Sequence, residues 1–259
     1  MWLRYTRSGH LFISAGDDCN KIVDAMLITN YSEDFCIADD FDPGFVARLM
    51  EAGFLVMSAN IAREGDEPDY LLFPKLHIER SALLFENLHV KKSIRRLLDR
   101  RSSEQNHWEL RPDVDFTKIV DRCVEKHGAD WLTPPLVECI KKIRDDALAA
   151  KLPELAAQLP AKPYPASFAL YHNGELAAGE FGVICGKVYT SYSGFYEKDN
   201  AGTVQLILTA RYLQEQGFSF FDLGMPMDYK TDLGAVDIDA QEFVRLFRGL
   251  RELSELSKL

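Results

Sequence analysis

The chain predicts an α+β fold, and three observations carry that prediction. Residues 167–195 read as a three-strand meander. Its first turn, Asn173-Gly174, is a strong hairpin signal because a type I′ turn needs positive φ at both central positions, and Cys185-Gly186 marks the second turn. Residues 201–216 then read as a helix stopped by Gly217, followed by a strand that ends in Phe220-Phe221-Asp222. Upstream, several segments carry apolar residues at helical rather than strand period.

Each element has its own local reason. Residues 43–52 read as a helix: Asp42 caps it, Pro43 suits its first turn and Gly53 closes it. Phe45, Leu49 and Ala52 form its apolar stripe, with Gly44 a weak point. The charged stretch 63–69 reads as a loop joining the N-terminal part to the rest of the chain. Residues 89–101 read as an amphipathic helix, with Val90, Ile94, Leu97 and Leu98 on one face and Lys91, Lys92, Arg95, Arg96 and Arg100 on the other. Residues 116–127 and 134–149 read as two more helices, Thr133 capping the second and Pro134 opening it. The stretch 152–165 is a connection, and a short helix covers 240–251. Two domains are expected, 1–75 and 76–259.

At 259 residues the chain is long enough to bury a sizeable core. With 47% hydrophobic and 27% charged residues it has the composition of an ordinary globular protein. No apolar run reaches bilayer-spanning length, and residues 2–7 lack the apolar centre of a signal peptide. The five cysteines are scattered, with no metal-ligand spacing, and read as reduced, buried thiols in a cytoplasmic protein. No metal is expected. The net charge of −10 excludes a general basic coat for nucleic acid but not a local basic patch. The same-signed face of 89–101 is such a patch, with only Asp99 among the cations. It is either a solvated face or a surface for phosphates.

Asp222 is unusual: aspartate is depleted in strands, and a buried carboxylate needs a partner. Strand alternation places Asp222 and Gly224 on one face. Pairing with an arginine or capping a nearby helix are the alternatives to a catalytic role.

These segments carry a resemblance. Gly174-Glu175-Leu176, Gly179-Glu180-Phe181-Gly182-Val183, Gly186-Lys187-Val188-Tyr189, Phe195, Asn200-Ala201, Gly217-Phe218, Asp222, Leu233-Gly234-Ala235 and Glu242-Phe243 resemble leucyl/phenylalanyl-tRNA–protein transferases in order and spacing. So do Leu88-His89-Val90 with Ser93-Ile94-Arg95-Arg96, and Trp131-Leu132-Thr133-Pro134. The resemblance spans roughly residues 80–245. It implies a small N-terminal domain followed by a GNAT-like (acyl-CoA N-acyltransferase-like) domain with a mixed, largely antiparallel sheet flanked by helices. The implied activity moves Leu or Phe from aminoacyl-tRNA to protein N-termini bearing Arg or Lys, marking them for degradation. The ester supplies the driving force, so no cofactor is implied.

The resemblance further implies site residues. Asp222 and position 224 carry the chemistry, and Trp131, Tyr192, Gly194, Phe195 and Asn200 line the donor pocket. His89, Lys91, Lys92, Arg95, Arg96 and Arg100 meet the tRNA acceptor end. The chain departs from the family's pattern at several of these positions. Gly224 stands where the family has Gln, Tyr192 where it has Glu, Gly194 where it has Met, and Met57 where it has Trp. Trp131 and Phe195 are equally readable as core packing. Two alternatives stay open. An acetyl-CoA N-acetyltransferase shares the fold, but Glu197 to Thr203 lacks the Gly-rich pyrophosphate loop such enzymes use. A non-catalytic homologue that binds tRNA or a degron would explain Gly224 and Tyr192.

Overall fold

The computed structural model describes residues 3–29, 33–99, 107–150 and 162–256. In chain order the elements are β1 (Arg4–Tyr5), β2 (Leu11–Phe12), α1 (Cys19–Thr29), α2 (Pro43–Glu51), β3 (Leu55–Asn60), β4 (Tyr70–Lys75) and β5 (Glu79–Leu83). Then come α3 (Lys92–Leu98), β6 (Trp108–Pro112), α4 (Phe116–His127), α5 (Pro134–Ala149), β7 (Tyr164–His172), β8 (Glu175–Cys185) and β9 (Val188–Tyr196). The last are α6 (Ala201–Glu215), β10 (Phe220–Asp222), α7 (Asp228–Asp232), β11 (Val236–Asp239) and α8 (Ala240–Leu256).

Seven strands form the main sheet in the order β11-β5-β10-β9-β8-β7-β6. Only β10 and β9 run parallel, joined through α6 as a strand–helix–strand crossover; the other pairs are antiparallel. This is the mixed, largely antiparallel sheet of the α+β expectation. One face packs on α2, α4, α5 and α8 through Phe181, Val183, Val188, Phe195 and Phe220. The other packs on α6 through Phe168, Ala178, Ile184, Tyr189 and Phe221. The alternation of these residues along β8, β9 and β10 is the period-2 rule at work.

The meander folds as its turns require. Asn173 and Gly174 have φ of 52° and 84°, both left-handed. β7 begins at Tyr164, three residues before the expected start, because its first residues pair with Val183 and Ile184 of β8. Asp42 accepts from the amide of Phe45 at 2.8 Å, the cap that the sequence predicts for α2. Thr133 does not cap α5; its hydroxyl lies 2.7 Å from that of Ser58 instead. The polar stretch 63–69 is the loop of the β3–β4 hairpin rather than a link between units. The helix expected over 89–101 is shorter, α3, because His89 and Val90 are held extended by the His89 amide on the Leu233 carbonyl, at 2.8 Å. All five cysteines are buried and free. No described helix is long and apolar enough to cross a membrane.

Candidate functional site

β10 is three residues long and lies between β9 and β5, with Asp222 in register with Thr190 and Ala82. Its side chain therefore faces Thr190 across one ladder and, one pleat along β5, Arg80 across the other. Asp222 is fully buried. Arg80 donates to it twice, from Nε at 3.0 Å and Nη2 at 2.6 Å. The Thr190 hydroxyl donates at 2.8 Å and the Gly224 amide at 2.9 Å. Burial alone would raise the carboxyl pKa; the charge and hydrogen bonds of Arg80, the Gly224 amide and Thr190 together hold it below the usual carboxylate value. The geometry is that of a paired, ionised carboxylate, the arginine alternative raised by the sequence.

Arg80 is itself buried, its guanidinium 4.3 Å from the ring centroid of Phe243 in α8. Among the described residues its Nη1 has no hydrogen-bond partner. Arg80, Thr190 and Tyr192 share a narrow cavity of about 10 Å³ with residues of α2 and α8. Beside them His77 is buried, and burial together with Arg80 and Lys75 draws its pKa down to about 4, so it is neutral.

Beyond Asp222 the strand does not continue. Gly224 has φ of +73°, so the alternation that would set it beside Asp222 stops there. The turn is held by Lys230 of α7, whose ammonium donates to the carbonyls of Leu223 at 2.6 Å and Met225 at 2.5 Å. Burial pulls Lys230 down to about 8, against the raising effect of Asp222. Arg80, Asp222 and Lys230 thus form one buried polar group at the end of β10. Only Asp222 carries a signal in the sequence, a carboxylate in an apolar strand. Lys230 sits in the polar run Asp228-Tyr229-Lys230-Thr231-Asp232 and reads like surface.

The expected pocket residues fall into two groups. A register shift between Phe181 and Gly182 makes Tyr192 the extra residue of a bulge in β9. The bulge puts Tyr192 on the same face as Phe195, and both belong with Trp131 to the core on that face. The Tyr192 hydroxyl accepts from the Val56 amide at 3.1 Å, and the Trp131 carbonyl accepts from the Ser58 amide at 3.0 Å, so β3 ties this group together. Gly194 lies on the opposite face, against Glu180: a Cβ there would sit 3.2 Å from that of Glu180. Asn200, exposed with φ of 65°, precedes α6 on that side.

His89, Lys91, Lys92, Arg95 and Arg96 are all exposed, while Val90 and Ile94 are buried. Arg100 lies outside the described residues. Lys91 pairs with Asp232 at 2.5 Å, and Arg95 reaches the Val90 carbonyl at 3.4 Å. Gly234 fixes this segment against α7, since a Cβ there would lie 2.0 Å from the Asn87 carbonyl oxygen.

The family model described as leucyl/phenylalanyl-tRNA protein transferase matches residues 82–248. A leucyl/phenylalanyl-tRNA–protein transferase of Pseudomonas putida (strain W619) is 29% identical over 167 residues, covering 63% of this chain and 65% of the relative. One of Nitrosomonas eutropha is 25% identical over 182 residues, covering 69% of each. The chain thus spans about two thirds of the length of such relatives, 65% of the first. Among solved structures, FemX has a TM-score of 0.42 and 10% identity, over 89% of this chain and 78% of that one. The family match covers more than half of the chain, from β5 through α8, and the chain therefore belongs to the leucyl/phenylalanyl-tRNA–protein transferase family.

Proposed function

We propose that the protein is an aminoacyl-tRNA–protein transferase, moving an amino acid from charged tRNA to the N-terminal amine of a protein. The observation that carries this reading is the family match over residues 82–248, which takes in Asp222 and Thr190, with Arg80 just before it. In the reaction the acceptor α-amine attacks the ester carbonyl carbon. The C–N bond forms, the C–O bond to the terminal ribose breaks, the ribose oxygen leaves as a hydroxyl, and the nitrogen gives up a proton. The ester drives the reaction, so the reading calls for no cofactor. An α-amine titrates near pH 8, so a useful fraction is already neutral at about pH 7. The protein's task is therefore mostly orientation.

Asp222 contributes as a positioning residue. Both of its oxygens are taken up by Arg80, Thr190 and the Gly224 amide, so it acts through what it holds: Arg80 on one side and the Gly224 turn on the other. Gly224 offers only backbone where the family's pattern implies a Gln, and Lys230 sets the shape of that backbone. The basic face of α3 is the natural surface for the phosphates of the acceptor end. Acceptors with N-terminal Arg or Lys belong to the same reading, as do a cytoplasmic site of action and a role in marking proteins for degradation.

Incubating the protein with bulk tRNA charged with labelled amino acids, and peptides of varied N-terminus, tests this. The expected result is label joined to the peptide α-amine. Intact tRNA binding without transfer from any donor would favour the non-catalytic alternative, and acetyl-CoA turnover the acetyltransferase.

A further inference from the structure

Two hydrogen-bond donors without an acceptor meet at the small cavity beside the Arg80–Asp222 pair. Arg80 spends Nε and Nη2 on Asp222, and among the described residues its Nη1 has no partner. The Arg80 side chain is about 1% exposed, so bulk solvent does not serve that nitrogen. Tyr192 accepts from the Val56 amide at 3.1 Å, and among the described residues its own O–H has no acceptor. Burial raises the Tyr192 hydroxyl above the ordinary tyrosine value, so it keeps that proton. Both residues line the same cavity of about 10 Å³, together with Thr190 and apolar side chains such as Phe54, Val183 and Phe247. Buried donors are seldom left unpaired, because each one stranded costs stability that a bond would return.

Size and charge decide what the cavity takes. A void of about 10–15 Å³ holds one water where roughly two to four polar groups bind it. At the low end of that range, the cavity has room for a single heavy atom. Arg80 is already matched by Asp222, so the two donors call for a neutral acceptor rather than an anion. The Thr190 hydroxyl gives its proton to Asp222 and offers the cavity only its lone pairs. Two donors and one acceptor are the partners that one water satisfies, since it both accepts and donates.

We propose that this cavity is a binding site for a single water, which accepts from Arg80 Nη1 and the Tyr192 hydroxyl and donates to Thr190 Oγ1. The inference does not depend on the transferase reading and goes beyond it. The water completes one chain of hydrogen bonds from the Val56 amide in β3, through Tyr192, to Arg80, Asp222 and the Gly224 amide. Tyr192 is thereby a positioning residue: it holds the guanidinium from the side that Asp222 does not reach. The position of β3 bears on the turn after β10 through one water, and in a buried network each bond strengthens its neighbours.

A crystal structure of the full chain, grown with bromide as the only halide, tests this. The expected result is a density peak about 2.7–3.2 Å from both Arg80 Nη1 and Tyr192 Oη, with no anomalous signal at the bromine edge. No peak, or a peak that carries the bromine signal, would overturn the proposal. In Tyr192→Phe the peak should be lost, and hydrogen exchange of the Gly224 amide should quicken by about tenfold relative to the amides of β7. That variant also frees the Val56 amide, so Val183→Ile is the second one: it adds a methyl group at the cavity and leaves Tyr192 in place. It should show the same loss of the peak and the same faster exchange at Gly224. A peak at full height in Tyr192→Phe would overturn the part given to Tyr192. A Gly224 amide as protected in both variants as in the wild type would overturn the link to the turn.

Discussion

At the scale of residues, the candidate site is built on a buried ion pair. Arg80 and Asp222 are both about 1% exposed in their side chains, so each is tolerable only because the other is present. Asp222→Ala should cost about 3–5 kcal/mol in urea unfolding, because it strands the Arg80 guanidinium. Replacing both, as Arg80→Met with Asp222→Leu, should recover most of that loss. A double variant as unstable as the sum of its singles would mean that the pair is not what the site depends on. Any rate measured for a single variant must therefore be compared at equal folded fraction. Gly224 is constrained in another way. At φ of +73° a side chain is strained even though its nearest obstacle, the Leu55 methyl, is 3.5 Å from a built Cβ. Gly224→Gln should thus lower stability by about 1–2 kcal/mol and should not raise transfer. A rise in transfer would show that the turn relaxes to accept the introduced side chain.

At the scale of elements, legibility depends on how local the cause is. The β7–β8–β9 meander and helices α4, α5 and α6 depend on turn residues and apolar periods within one segment, and the sequence alone places them. β5 does not read as a strand, since Glu79-Arg80-Ser81 carries polar residues that make sense only against Asp222, 142 positions away from Arg80. The bulge at Tyr192 is likewise a property of two strands at once, so the face of Tyr192 is not readable from β9 alone. Asp222 stands out as a carboxylate in an apolar strand; Glu180, between Gly179 and Phe181 in another, carries the same signal. α3 shows the opposite case, a strong charge pattern on a helix of seven residues. Its Lys92 and Arg96 lie off the buried Ile94 stripe. Reversing both to Glu should weaken tRNA binding and flatten its salt dependence by roughly 0.7–0.9 in log–log slope for each phosphate no longer neutralised. An unchanged slope would mean that the face is merely solvated.

At the scale of the molecule, the short parallel strand β10 is the organising feature. The two faces of the sheet hold two buried carboxylates: Asp222, locked to Arg80, and Glu180, hydrogen-bonded by Ser191. The most direct measurement is the intact mass of a peptide with N-terminal Arg after incubation with the protein and a fully charged tRNA pool. The expected result is a gain of one amino-acid residue at the N-terminus, abolished by acetylating the peptide amine or by deacylating the tRNA. An unchanged peptide mass with every donor supplied would contradict the transferase reading.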